Sequence, residues 1–171
     1  MKTYSLKSIF RFALNTEEKG NVFYQDVARY TQDKDIKKLF NYLSKQEIKH
    51  AKTFLKLYHS CADKKNIFLA NPELSEVLDA IFRGLIFPDI SEVRDSTVKK
   101  DALVRILKIA MDVEINTIIF YDRMKECIKS YKIKEILSKI ITEEEKHLVK
   151  LKKMRINLDP TYAKIIYGKF F

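Results

Sequence analysis

Apolar residues recur along this chain at steps of three and four, the spacing of one face of a helix, in four separate stretches. The first reads Leu6, Ile9, Phe10, Ala13, Glu17, Gly20, Tyr24 and Val27. A break from Thr31 to Asp35 follows, with Asp35 placed to cap a second stretch, Ile36, Leu39, Phe40, Leu43, Glu47, His50, Phe54 and Leu57. Ser96 and Thr97 are capping residues ahead of a third, Leu103, Ile106, Leu107, Ala110, Glu114, Thr117, Tyr121 and Met124, and the fourth runs Ile133, Ile136, Leu137, Ile140, Glu144, His147, Leu151 and Met154. Each apolar stripe therefore carries a glutamate in a core position, and two carry a histidine as well.

The second pair of stripes repeats the first at an offset of 97 residues. Leu6 matches Leu103, Ile9 matches Ile106, Glu17 matches Glu114, Phe23-Tyr24 matches Phe120-Tyr121, Glu47 matches Glu144 and His50 matches His147. Two helical hairpins of one design predict an all-α four-helix bundle over residues 1–157, with residues 158–171 as a basic, aromatic tail that packs on the bundle or a neighbour. Between the hairpins, residues 62–96 carry two breakers, Asn71-Pro72 and Phe87-Pro88-Asp89, around a short amphipathic stretch from Leu74 to Ile86. This segment reads as a long crossover with one short helix. A helix of about 26 residues is roughly 39 Å long, which the segment spans easily, so the third helix is expected to begin at the end of the bundle where the first began. Glu17 and Glu47 lie about four turns either side of the first hairpin's loop, and Glu114 and Glu144 repeat that relation around the loop near Ser130. All four carboxylates can meet at one level.

Composition narrows the picture without changing it. Three glycines and three prolines in 171 residues leave too little turn chemistry for a many-stranded sandwich or barrel. The formal charge of +10 is spread over every segment with acidic residues between the basic ones, the pattern of solvated helix faces rather than of a nucleic-acid site. No apolar run approaches the roughly 20 residues of a membrane span, and Lys7 and Arg11 interrupt the only apolar cluster near the N-terminus, so a cytoplasmic location is expected. Cys61 and Cys127 stand far apart with no Cys-x-x-Cys pair, which excludes a zinc ribbon or a rubredoxin-type iron site and leaves buried free thiols.

Four glutamates and two histidines on inward faces need a partner, because one buried ionised carboxylate alone costs several kcal/mol. Two divalent ions bring four positive charges against four carboxylates, while neutral imidazoles supply nitrogen ligands; iron and manganese accept the same set. In Glu47-Ile48-Lys49-His50 and Glu144-Glu145-Lys146-His147 the i, i+3 spacing points both side chains inward. With twelve glutamates in the chain, four at prescribed positions coincide by chance on the order of 2 in 100,000 times before any allowance for search freedom, so the joint pattern outweighs each separate motif. His59 has no counterpart in the repeat and is assigned to a helix end rather than to the ligands.

These residues, Glu17 with Phe23-Tyr24, Glu47-x-x-His50, Glu114 with Phe120-Tyr121 and Glu144-x-x-His147, resemble the rubrerythrin and erythrin branch of the ferritin-like diiron-carboxylate proteins. The resemblance covers about residues 5–155 and implies a ferritin-like bundle holding two iron ions. It implies further that Glu17 and Glu114 are ligands of separate irons, that Glu47 and Glu144 bridge both, and that His50 and His147 complete the irons of Glu17 and Glu114 respectively. Tyr24 and Tyr121 stand seven residues after a ligand, where a phenol can hydrogen-bond a liganding carboxylate or simply fill the core.

The chain departs from that family twice. It lacks the rubredoxin-like iron module, and Met111 stands where typical rubrerythrins have an additional glutamate that exchanges with the metals; a thioether does not replace a carboxylate on hard iron. The expected function is a diiron oxidoreductase oxidised by hydrogen peroxide or dioxygen, of peroxidase or ferroxidase type, re-reduced by a separate electron-donor protein such as a rubredoxin. Partners beyond these are limited to a second copy in a homodimer, with no nucleic acid and no membrane. The alternatives are iron binding or storage, which needs a cage of many subunits, and a diiron oxygenase, which needs an apolar cavity at positions such as Ala13, Gly20 and Ala110.

Overall fold

A computed structural model describes residues 4–60, 67–68 and 100–168. Four long helices dominate it: α1 (Leu6–Tyr30), α2 (Lys34–Ser60), α3 (Lys100–Cys127) and α4 (Tyr131–Leu158), followed by a short α5 (Pro160–Tyr167). A two-residue strand β1 (Tyr4–Ser5) pairs antiparallel with β2 (Ile67–Phe68) and joins the start of α1 to the segment after α2. The expected crossover outside β2, including Leu74–Ile86, Ser96 and Thr97, lies outside the described residues, as do Cys61 and the side chain of Cys127.

Local chemistry sets the helix ends. Ser5 caps α1 by accepting a hydrogen bond from the Ser8 N–H at 3.0 Å. The loop between α1 and α2 is only three residues long, and the cap of α2 is Asp33 rather than Asp35: its Oδ1 accepts from the N–H groups of Asp35 at 3.0 Å and Ile36 at 2.9 Å. Asp35 lies inside the first turn, where its charge favours the helix dipole but its side chain satisfies no free N–H. Asp33→Ala should cost about 0.5–2 kcal/mol in denaturant unfolding and Asp35→Ala less; an equal or greater loss at Asp35 would contradict the assignment.

α1 packs along α2 and α3 along α4, and two apolar clusters fill the bundle at different heights. One gathers Phe23 and Val27 of α1, Phe40 and Leu43 of α2, Leu103 and Leu107 of α3, and Leu151 of α4. The other gathers Phe10 of α1, Phe54 of α2, Phe120 and Met124 of α3, and Leu137 of α4. The last turns of α1 thus share a cluster with the first turns of α3. This overturns the expected direction: α3 starts where α1 ends, beside the start of α2, and runs antiparallel to α1. α2 already returns the chain to the end where α1 began, so only a connection that runs the length of the bundle back to the other end needs to be long.

The chain after residue 158, read as a tail, contains α5. Asp159 caps it by accepting from the Thr161 N–H at 3.1 Å, and Pro160 occupies the first helical position, where its missing N–H costs nothing. Tyr162 packs against the cluster of Phe23, Phe40 and Leu103, and the Arg155 guanidinium lies 3.9 Å from its ring centroid. Among the described residues no helix is long and apolar enough to cross a membrane.

Candidate metal centre

Between the two apolar clusters the four long helices bury a layer of charged residues. Glu17 comes from α1, Glu47 and His50 from α2, Glu114 from α3, and Glu144 and His147 from α4; none is more than 5% exposed. The sequence-predicted residues therefore all meet. His50 Nδ1 lies 2.9 Å from Glu144 Oε1 and 3.6 Å from Glu17 Oε2. His147 Nδ1 lies 2.8 Å from Glu144 Oε2, 3.6 Å from Glu114 Oε1 and 3.7 Å from Glu47 Oε1. The imidazoles stack across the layer with centroids 5.8 Å apart. Ligand atoms within 4.8 Å of one another form two groups, Glu17, Glu47, His50 and Glu144, and Glu47, Glu114, Glu144 and His147. Glu47 and Glu144 belong to both.

This donor set fits a pair of metal ions. Glu17 Oε2, Glu47 Oε1, His50 Nδ1 and Glu144 Oε1 are buried without a hydrogen-bond partner, so lone pairs converge on the layer with nothing to receive them. His50 Nδ1 is close to Glu144 but not aligned for a hydrogen bond, which is why a short contact and an orphaned atom coexist. The electrostatics say the same. Burial pushes Glu47 well above the carboxylate range, with the charges of Glu144 and Glu17 adding to it. Burial and the charge of Glu144 push Glu114 up to about 8, against the opposing pull of His147. Burial alone would lower both histidines, yet the surrounding carboxylates prevail: Glu144 and Glu17 raise His50 to about 12, and Glu114 and Glu144 raise His147 to about 9. Glu144 goes the other way, to about 2, because the two imidazoles outweigh its burial. Without a cation the layer holds itself together with protons.

Each tyrosine crosses to the opposite hairpin. The Tyr24 hydroxyl donates to Glu114 Oε1 at 2.7 Å, and the Tyr121 hydroxyl donates to Glu17 Oε1. Each phenol thus ties one hairpin to the other, α1 running antiparallel to α3. Burial, and then the partner carboxylate, raises both phenols well above their ordinary value, so they stay protonated donors. Tyr24→Phe and Tyr121→Phe should preserve the fold while lowering metal affinity or oxidation rate roughly 10- to 100-fold; variants equal to the parent in both would reduce the tyrosines to core residues.

Other positions resolve as follows. Gly20 is buried, and a Cβ there would lie 3.2 Å from Glu47 Oε2, so the room it leaves is taken by that carboxylate. Ala13 and Ala110 are fully buried in the apolar clusters. Met111 is buried in the apolar cluster of Phe23, Val27 and Leu103. His59 ends α2 beside Tyr58, away from the layer. One contact was not foreseen: Glu143 Oε2 lies 2.7 Å from His50 Nε2, the nitrogen that faces away from the layer. Its signal was its place directly before Glu144, on the side of α4 turned toward α2.

A bundle with one long crossover and a buried layer of four glutamates and two histidines defines the ferritin-like diiron-carboxylate class. The family model of rubrerythrin matches residues 8–155, and the chain belongs to that family. Among solved structures it is similar to a Thermotoga maritima protein described as ferritin-like and diiron-carboxylate, at 26% identity and a TM-score of 0.72, covering 91% of this chain and 97% of that one. No curated protein matches the chain significantly.

Proposed function

We propose that this chain is a non-haem diiron oxidoreductase, oxidised by hydrogen peroxide or dioxygen and serving to remove them in the cytoplasm. The observation that supports the reading is the interlocking of the two donor groups through Glu47 and Glu144, which sets two metal positions side by side instead of apart. Glu17, Glu47, His50, Glu114, Glu144 and His147 would hold the two ions, and a ferrous pair bound there would supply the two electrons that, with two protons, reduce one peroxide to two waters. Manganese accepts the same ligands, and its identity is an outcome of metal analysis.

The protein's own groups do the rest. Tyr24 and Tyr121 hold Glu114 and Glu17 in place through donated hydrogen bonds, and the apolar clusters above and below exclude bulk water. Re-reduction is assigned to a separate donor protein of the rubredoxin type. Stopped-flow oxidation of the ferrous-loaded protein by peroxide and by dioxygen, followed by steady-state assays with and without a rubredoxin-type donor, tests this. Fast oxidation by peroxide and turnover only with the donor support it. No reaction with either oxidant, or continuing mineral formation in a large cage, contradicts it and favours storage.

A further inference from the structure

The repeat that reproduces all six inward residues breaks immediately behind the two histidines. Glu143 of α4, whose carboxylate accepts from His50, corresponds at the offset of 97 to Gln46 of α2. Tyr42 of α2, whose ring meets the His147 ring edge-on at 5.9 Å, corresponds to Lys139 of α4. The two imidazoles therefore stand alike toward the layer and differently toward the outside.

His50 leans on an anion. A carboxylate 2.7 Å from Nε2 fixes the proton on that nitrogen, leaves Nδ1 to the layer and makes Nδ1 a stronger donor. His147 has no such support among the described residues: its carboxylate contacts all run through Nδ1. Outside it stands a phenol, with the Lys150 ammonium 5.1 Å from that ring's centroid. Gln46 is neutral, and its Oε1 accepts from Lys49 Nζ at 3.1 Å. One metal position is thus backed by negative charge through its histidine, and the other by a neutral ring under a cation.

We propose that Glu143 is a positioning residue that makes the two metal positions unequal, so that the position of Glu17 and His50 binds its ion first and more tightly. This rests on the metal-centre reading above and goes beyond it, since the six inward residues alone are symmetric. Glu143 is 48% exposed, on a surface groove it shares with Lys139 and Lys146, so replacing it leaves the core untouched.

The test is anaerobic titration of the full chain with Co(II), followed by visible absorption, for the parent, Glu143→Gln and Gln46→Glu, with the apo melting temperature as a check on folding. His50→Ala identifies which step belongs to which position. The parent should bind two ions in two steps about tenfold or more apart, the first lost in His50→Ala. Glu143→Gln should weaken that step roughly 10- to 100-fold and leave the other, while Gln46→Glu should tighten the second. Unchanged affinities in Glu143→Gln, or equal weakening of both steps, would overturn the inference and leave the metal centre standing. A parent that binds fewer than two ions would overturn both.

Discussion

Glu144→Ala should release both metal ions, whereas His50→Ala should mainly weaken one. Glu144 is fully buried, with one oxygen 2.9 Å from His50 Nδ1 and the other 2.8 Å from His147 Nδ1, and it belongs to both donor groups. Removing a shared anion leaves each ion with less charge compensation in a site that water does not enter, a loss of about 3–5 kcal/mol per ion by analogy with broken buried ion pairs. That is roughly a 150- to 5,000-fold drop in affinity. Glu144→Gln, which keeps the volume, guards against a variant that fails to fold. Metal per chain after equilibrium dialysis reads the effect. Loss of one ion with the other held at parental affinity, in either Glu144 variant, would contradict a bridging role.

Metal loading should raise the melting temperature, and the gain should grow with pH. In the metal-free layer Glu47 and Glu114 are held protonated by burial, and the histidines carry protons held by the carboxylates. A group whose folded value lies above its unfolded one stabilises the fold fully only below the unfolded value. Its contribution fades as pH rises from there through the folded value. For Glu114 that window runs from 4.5 to about 8, and for His147 from 6.5 to about 9. Glu144, lowered to about 2, contributes in the opposite sense and loses its share only below 4.5. The metal-free protein should therefore lose stability from mildly acid to mildly alkaline pH. Bound ions take the place of those protons, and their binding strengthens over the same range. At an ion concentration a hundred times Kd, two sites contribute about 5 kcal/mol, on the order of 10–20 °C for a chain of this size. Calorimetry with and without Mn(II) at pH 5.5 and 8 reads this; a gain absent, or larger at the lower pH, would contradict it.

Periodicity carried most of this structure because the functional residues lie in the stripes themselves. Glu17, Glu47, Glu114 and Glu144 interrupt an otherwise apolar face, and a buried charge in a regular helix is visible without knowing what it touches. Contacts that depend on how helices are set against one another were less legible. Tyr24 stands seven residues after Glu17 in the sequence, but only the packing of the two hairpins shows that its hydroxyl donates to Glu114 of α3. Glu143 is the first of three consecutive glutamates, and only the approach of α2 to α4 sets it behind His50. The cap of α2 slipped by two residues because Asp33 and Asp35 both suit a helix start, and only the hydrogen bonds to Asp33 distinguish them. α5 was legible in principle, since Asp159-Pro160 is a cap followed by a first-turn proline, but eight residues give too short a stripe to stand out.

The central claim is that this layer holds two metal ions in one buried centre. Anaerobic loading with ferrous iron, removal of unbound metal by desalting and determination of iron per chain tests it most directly. The parent protein should carry two irons per chain, and one iron or none would contradict a buried two-metal centre.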